Sequence, residues 1–560
     1  MINSQQQHTI KQIWTDIQQA EQNGDLAQVE YLYQQLLKIT PAQIQVIEQI
    51  TKLALRIRKY DFALQVIRNA LEKDPGFIPG FFFMAIIASQ RGDSDSAIHY
   101  YRQCLAMGGQ ELAIYQNLAN VLREKELWEE AAAVYRELAT RAPNQADVYI
   151  KWGYVLYKQG KLADASVVYN RVLKIQPASK EALKNLLIIH CERCEKTVVM
   201  ALYQRGLAID SGNAEWCYGL GVILHEHNMP LEAIVAFKQA IKIRPMWDEA
   251  HWVLGVSLLK VGSFRTGFCE YEWRKKRQRV KGYHDYFLRK PEWQGEIFSG
   301  KKLLVYAEQG LGDLLQFVRY LPMVKARGGS VALLGRTPLD RLFASAVGVD
   351  ELVENEQSIE DFDLAIALLS LPTIFGTTLN TIPATIPYLQ VEEDIIAKWQ
   401  PCMDDRSFKI GLVWAGKTTS DALGGRSMTF SQFEPLVTVP GVTFYSLQKG
   451  EGEEQAEFPP TGMQFRHISD KIHDFADTAG AIANLDLVIS IDTSVVHLAG
   501  AMGKEVWVLL PYNAEWRWLL DKEESPWYPT MRLFRQKKQG NWSGVMDDVV
   551  KELQKLVANN

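Results

Sequence analysis

The chain has little cysteine: six residues in 560, scattered at positions 104, 191, 194, 217, 269 and 402 rather than spaced as a secreted disulfide framework. Reduced thiols in a cytoplasmic setting are the expectation. Only Cys191 and Cys194 form a CxxC pair, and with His190 beside them they still fall short of a four-ligand structural metal site. No stretch approaches the roughly eighteen consecutive apolar residues of a membrane span. The opening MINSQQQHTIKQIW lacks a basic segment followed by an apolar core, so it does not read as a signal peptide. An excess of positive charge is missing too: 61 Lys and Arg face 66 Asp and Glu, a formal net charge of -5. Global attraction to nucleic acid or to an anionic membrane is thereby excluded, and any anion site must be local.

What the chain has is length and repetition. With domains of roughly 100 to 200 residues, three domain-sized pieces are expected. Pro41, Pro75, Pro143, Pro177 and Pro245 lie 34 residues or twice 34 apart, and Gly109 and Ser211 fill the two skipped positions. Twelve residues before each mark stands a small side chain: Val29, Ala63, Ala97, Ala131, Ala165, Val199 and Ala233. Eight before it stands a large one: Tyr33, Ile67, Tyr101, Tyr135, Tyr169, Tyr203 and Phe237. Gly24, Gly92 and Gly160 fall at the bend between paired helices. The pattern resembles the tetratricopeptide repeat, with about eight units between residues 10 and 281. Such repeats stack into a superhelix whose concave face holds a peptide or protein segment, although they also serve as plain scaffold.

Residues Arg274 to Lys290, RKKRQRVKGYHDYFLRK, concentrate cations with Tyr283, Tyr286 and Phe287 interleaved. Nucleic acid is the sharp reading. A last charged helix that runs into a docking linker is the favoured one, so no nucleic-acid partner is expected. Pro291 and Gly300 then bracket a turn-rich passage.

From Lys301 short apolar strands alternate with helices: KLLVY, SVALL and FDLAIALL, then, after Pro387, FKIGLVWAG, VTFYSL, LDLVISID and EVWVLL. This is the pattern of parallel sheets, and two Rossmann-like domains are expected. Ligands in such folds sit at the carboxyl ends of strands, where the polar residues gather here. The first gathering is Ala307 to Asp313, in which Gly310 and Gly312 let a backbone approach a substrate and Asp313 places a carboxylate at the cleft. The second is Trp414, Ala415, Gly416 and Lys417 with Arg426 and Ser427, a glycine turn with cations able to neutralise a diphosphate. The third is Ser446 to Gly450, with Gln448, and the fourth is Asp474 to Thr478, opening a helix. In LDLVISIDTSVVHLAGAMGKEVWVLL an apolar strand ends in Asp492, Thr493 and Ser494. Asp492 is read as the N-cap of a helix whose unpaired N–H groups and dipole suit phosphate. A ligand-free crossover has the same pattern. Asp361 and Asp363 form an Asp-x-Asp, but they precede an apparent strand, so no metal site is assigned there.

Taken in order, EQGLGDLLQFVRYLP, GLVWAG, SLQKG, DFADTA, IDTSVVHLAGAMGK and WRWLLDKEESPWYPTMRLFRQ, over about Pro291 to Gly540, resemble the bacterial tetratricopeptide-linked glycosyltransferases related to the ADP-heptose heptosyltransferases. More distantly, the chain resembles tetratricopeptide-linked protein O-glycosyltransferases. The resemblance implies a GT-B fold, two Rossmann-like domains with a nucleotide-sugar donor between them and inverting transfer without a metal. It puts the general base on Asp313 and the donor phosphate and sugar at Asp492, Thr493, Ser494 and His497. Gly312, Trp414, Gly416, Lys417, Arg426 and Gln448 complete the expected donor site. The acceptor features of the lipopolysaccharide enzymes are not recognisable. The protein O-GlcNAc transferases line their groove with asparagines two before the consensus glycine, where this chain has Gln49, Phe83, Asn117, Lys151, Asn185, Gly219 and Val253.

The expected class is thus an α-solenoid followed by α/β: repeats over 1–281, a linker over 282–300, an acceptor-side Rossmann-like domain over 301–390 and a nucleotide-sugar-side one over 391–560, with the final helix packing back on the first. The expected activity is glycosyl transfer to a protein or peptide held by the repeats, with the nucleotide sugar as substrate, no further cofactor and oligomerisation left open. Two alternatives stand beside it: a binding scaffold with an inactive transferase domain, and a glycan-directed transferase that uses the repeats to oligomerise.

Overall fold

A computed structural model describes residues 4–40, 44–193, 195–287, 289–308, 310–335, 337–353, 356–417 and 425–559. The chain divides into two compact units, Met1–Ile209 and Asp210–Asn560. The first is a solenoid of paired helices: Ser4–Gln22 with Leu26–Ile39, Ile44–Arg56 with Tyr60–Lys73, Ile78–Gln90 with Ser94–Ala106, Leu112–Glu124 with Trp128–Arg141, Ala146–Lys158 with Leu162–Ile175, and Lys180–Glu192 with Lys196–Ile209. The second unit opens on two further pairs, Ala214–Glu226 with Pro230–Ile243 and Asp248–Lys260 with Phe264–Tyr271.

The 34-residue pattern is a packing pattern. Val29, Ala63, Ala97, Ala131, Ala165, Val199 and Ala233 are all at 0% exposure, and the large side chains four positions on are buried beside them. Within the fifth pair the fit is close enough to require glycine, because a β-carbon on Gly153 would lie 2.7 Å from the Tyr169 ring. Pro41, the first of the repeat marks, lies outside the described residues.

The bend between paired helices needs a left-handed residue. Gly24, Gly92, Gly160 and Gly262 supply it with φ of 72°, 80°, 72° and 80°, but Arg58, Glu126 and Asn228 make the same bend at 57°, 59° and 59°. A side chain in that region costs roughly 1–2 kcal/mol, and the Glu126 side chain is exposed. Glu126→Gly should therefore stabilise the protein by about 1 kcal/mol after the entropy cost of glycine is subtracted. Calorimetric unfolding checks this, and a lowered Tm would contradict it.

The CxxC is only partly visible, since Cys194 lies outside the described residues. Cys191 is a buried thiol. Its neighbour His190 spends both nitrogens on side chains, Nδ1 on Glu195 at 2.5 Å and Nε2 on the Ser166 hydroxyl at 3.2 Å.

The second unit carries two sheets. β1 (Lys302–Tyr306), β2 (Ser330–Leu334), β3 (Glu351–Val353) and β4 (Leu364–Ala367) form the first, in the order β3-β2-β1-β4. β5 (Phe408–Val413), β6 (Val442–Ser446), β7 (Phe465–Arg466), β8 (Leu487–Ile491), β9 (Val506–Leu510) and β10 (Met531–Arg535) form the second, in the order β10-β9-β8-β5-β6-β7. Every pairing between these strands is parallel, for example Ile410 with Leu487 and Leu304 with Ala332. Strands buried on both faces read as near-continuous apolar runs, and β8 and β9 are buried at every residue, with Ser490 the one polar side chain between them. The second order is that of a complete doubly wound sheet and the first is its opening four strands, so each has a switch point, between β5 and β8 and between β1 and β4. β3, β7 and β10 were not anticipated from the sequence.

Two local expectations are corrected. The final helix, Trp542–Ala558, does not pack back on the first sheet: Trp542, Val545, Met546, Val549 and Leu553 bury themselves in the core of the second, with Ile410, Leu412 and Phe433. The N-cap of the helix Ser494–Ala501 is Thr493, one residue beyond Asp492, and its side chain makes no capping bond.

The basic junction docks inward. Arg274, 2% exposed, pairs with Glu308 and Glu272, Lys275 pairs with Glu292, and Arg277 pairs with Glu249 while lying 3.7 Å over Trp252. Phe287 stacks on Tyr306 at 4.0 Å and the Tyr283 hydroxyl donates to Ala307 O at 2.6 Å. The apolar side of the same join is a shared core in which Phe264, Phe268 and Tyr271 pack with Trp516 and Trp527.

Candidate functional site

The carboxyl end of β1 turns through Gly310 into the short helix Leu311–Phe317. Asp313 sits in its first turn, with Oδ2 accepting from Gly310 N at 2.9 Å and Oδ1 paired to the Arg517 guanidinium. Gly312 is the point of closest approach to the other sheet: a β-carbon there would lie 3.0 Å from His497 Cδ2 and 3.6 Å from Ser494 Cα. The two strand-end regions therefore face each other, and the smallest residue stands where they meet.

At the end of β5, Trp414 is buried, stacks on Phe430 at 4.2 Å and donates its indole N–H to Gly452 O at 3.1 Å. Gln448, 1% exposed, accepts from Trp414 N and Ala415 N at 2.9 Å and donates to Ala415 O at 3.0 Å and Glu451 O at 2.8 Å. Both residues shape the turn from behind. Gly416 is what lets Arg426 cross it, since a β-carbon there would lie 3.2 Å from Nη2. Arg426 Nη1 donates to Asp492 O at 3.3 Å, joining the β5 and β8 ends at the switch point. Lys417 is exposed on the same turn. Asp474 caps the helix Phe475–Ala483 and with Asp477 binds Arg341 at 2.8 Å, a tie between the two halves.

Residues not singled out in the sequence join the candidate site. The segment after β9 brings Glu515 and Arg517 to Asp313: Arg517 Nη1 reaches Glu515 Oε1 at 2.5 Å, its Nε donates to Gln316 Oε1, and its guanidinium lies 4.5 Å over Trp516. Trp518 lies near-parallel to the His497 ring at 5.5 Å. The signal was present, because Glu515 to Trp518 directly follow the carboxyl end of a central strand. What was absent was any local sign of Asp313, 204 residues away.

Burial sets the charges. It pushes the Asp313 carboxyl above its ordinary value against the pull of Arg517 and the Gly310 N–H. It does the same to Asp492, against Trp518, Arg426 and Arg517, and to Glu515, against Arg517. His497 is held well below the usual histidine range by burial, with Arg517 and Arg319 adding to the effect. The cleft thus offers carboxylates with raised proton affinity beside fixed cations and a neutral imidazole, a set suited to taking a proton next to a developing anion.

The same segment is anchored to the last repeats. Asn513 donates to Glu226 O at 2.8 Å and His225 O at 3.3 Å and accepts from the buried Lys260 Nζ. Burial, reinforced by Arg535, lowers the Lys260 pKa to about 7 against 10.5 for a free lysine, with Glu515 opposing. Because the folded value is the lower one, the unfolded chain holds more protons between the two, and the Lys260 contribution to stability grows as pH rises from about 7. Compared with Lys260→Met, the wild type should gain up to about 1.4 kcal/mol per pH unit in that window. Unfolding of both proteins across the range measures it, and a difference independent of pH would contradict it.

No helix among the described residues is long and apolar enough to cross a membrane. The tetratricopeptide repeat family matches residues 84–146. Protein FlbA of Caulobacter vibrioides is 23% identical over 90% of this chain and 89% of its own length. The human protein O-mannosyl-transferase TMTC1 is 22% identical over 30% of this chain, which spans 19% of that protein. Among solved structures, the glycosyl transferase family 9 protein from Veillonella parvula is similar over 48% of this chain and all of its own, at 12% identity and a TM-score of 0.37.

Proposed function

We propose that the chain is a glycosyltransferase of GT-B type that moves a sugar from a nucleotide-diphosphate donor to a hydroxyl of a protein held by the repeats. The observation that carries this reading is the meeting of Asp313, Glu515, Arg517, Asp492 and His497 where the strand ends of two doubly wound sheets face each other. The proposed division is repeats over 1–281, linker over 282–300 and Rossmann-like halves over 301–390 and 391–560, in a cytoplasmic protein. The order of motifs is similar to that of the ADP-heptose heptosyltransferases.

In the proposed step Asp313 takes the proton of the acceptor hydroxyl. The oxygen attacks the anomeric carbon from the face opposite the diphosphate, and the bond to the diphosphate breaks with its electron pair, so configuration inverts. The N–H groups of Thr493 and Ser494 with Arg426 and Lys417 stabilise the charge growing on the leaving group, the work a divalent ion does elsewhere. Gln448 and Trp414 act through the turn they brace.

One observation favours a second reading, a donor-binding domain without turnover: both Asp313 oxygens are already engaged, by Arg517 and by the Gly310 N–H. A panel of UDP-, GDP-, ADP- and CMP-sugars with co-expressed cellular proteins, read by mass spectrometry, separates the two. Transfer from one donor is expected. Binding without turnover carries the second reading, and no binding of any donor removes both.

The place to cut the chain follows from the packing. Truncation at 270 would strip Phe264 and Phe268 from the shared core, whereas removal of residues 1–209 takes one compact unit. That truncation should reduce transfer to the protein acceptor by about 10²-fold or more while donor hydrolysis survives, because remote binding energy is what is lost. Undiminished transfer to a glycan would favour the glycan-directed alternative.

A further inference from the structure

We propose that Tyr528 is a positioning residue for His497: its hydroxyl donates to Nδ1, fixes the ring as the Nε2–H tautomer and so makes an uncharged histidine present its one N–H to the cleft. The assignment of that N–H to a donor-phosphate oxygen rests on the function proposed above, whereas the tautomer does not.

His497 is 5% exposed, and burial disfavours its protonation, with two cations, Arg517 and Arg319, acting in the same direction. A neutral imidazole has a single N–H, and the nitrogen that carries it decides whether the cleft meets a donor or a lone pair. Nδ1 lies 3.0 Å from the hydroxyl oxygen of the fully buried Tyr528. Geometry at this one contact allows either direction.

The next residue along resolves it. Tyr388 Oη lies 3.4 Å from Tyr528 Oη, but its one hydrogen goes to Leu315 O at 2.8 Å, and Arg319 Nη2 donates into its oxygen at 2.9 Å. The angles at that contact suit Tyr388 as the donor and Tyr528 as the acceptor, over a distance at which a hydroxyl bond is weak, so Tyr388 does not compete for the Tyr528 hydrogen. Arg319, which accepts nothing, is held by Gln316 O at 2.8 Å and Trp527 O at 2.7 Å and lies 4.5 Å over the Tyr528 ring. The Tyr528 hydrogen is thus directed to Nδ1 at 3.0 Å.

Nε2 is left for the cleft. Among the described residues it has no hydrogen-bond partner, and a β-carbon on Gly312 would stand only 3.7 Å from it, so glycine keeps the approach open. The Nε2–H form offers a donor to an anionic oxygen, and the other form would set a lone pair against it.

The test uses the full chain with 15N-labelled histidine, the His497 signals being identified by their loss in His497→Gln. The wild type should show the Nε2–H tautomer without protonation across the neutral range. Tyr528→Phe should give mixed tautomers and weaken the binding of UDP, GDP or ADP, whichever binds, by about tenfold. Tyr388→Phe should leave the tautomer in place, because it removes no acceptor of the Tyr528 hydrogen. An Nδ1–H signal in the wild type, an unchanged tautomer in Tyr528→Phe, or a switch in Tyr388→Phe would each overturn the proposal. The expected tautomers with no nucleotide bound would uphold the positioning role and overturn the donor site.

Discussion

Asp313→Asn should lower sugar transfer by about 10³-fold and leave donor affinity within about threefold of the wild type. The asparagine side chain has the same shape, and its oxygen can accept the Gly310 N–H that Asp313 accepts at 2.9 Å. Arg517 keeps Glu515 as its counterion, so the fold should survive. What is lost is the only group in the proposed step that can take the acceptor proton. Removal of its charge should also lower the proton affinity of Asp492, which Asp313 raises. The wild-type pH profile carries the same signature. Because burial lifts the Asp313 carboxyl, kcat/KM should rise with pH through a value above that of an ordinary aspartate, and this limb should vanish in the variant. Single-turnover kinetics with the donor found in the panel would measure both, and retained turnover would remove Asp313 as the base.

Gly255→Val should destabilise the second unit by about 3 kcal/mol, at the upper end of overpacking costs. A β-carbon at Gly255 would lie 2.6 Å from Tyr271 N and 2.9 Å from Glu270 C, so it meets backbone that no rotamer change can move aside. The helices Asp248–Lys260 and Phe264–Tyr271 would have to separate. The consequence travels: Tyr271, Phe268 and Phe264 lie 6.4, 5.7 and 6.2 Å from the Trp516 ring, and Trp516 is the platform beneath Arg517. Activity should therefore fall with stability although the substituted residue touches nothing in the cleft. Gly219→Ala is the control. Nothing lies within 4 Å of its β-carbon position, and alanine in a helix interior should be neutral or stabilising by up to about 1 kcal/mol. Calorimetry on both variants decides, and equal Tm values would contradict the packing account.

The features legible in the sequence are those in which one chemical demand is repeated or local. The repeat register shows because each close helix contact demands a small residue at the same place, as at Ala131 and Ala165. Strands β5, β8 and β9 show because burial on both faces forces apolar runs. β3 and β7 are too short to make a pattern, and β10 reads as Met-Arg-Leu-Phe-Arg after a polar, proline-containing stretch, which hides a strand with intermediate exposure at both arginines. The site divides in the same way. Asp313, Asp492 and His497 stand in motifs at strand ends, whereas Arg517 acquires its meaning from partners far along the chain. Gln448, expected in the donor site, is buried as a brace behind the turn, an arrangement set by hydrogen bonds that no spacing reveals.

The segment after β9 has a consequence for how the protein is made. The repeats rely on contacts between neighbouring helices and can fold as they leave the ribosome, domains generally folding in order from the N-terminus. Arg517 must wait for nothing downstream, but Asp313 must wait for Arg517 through 204 residues of synthesis, and the carbonyl of Glu226 waits 287 residues for Asn513. A nascent chain released early would present its helical half with Asp313 still lacking its cation. On the proposed function, a product that ends before Arg517 would have folded repeats and no complete transfer site.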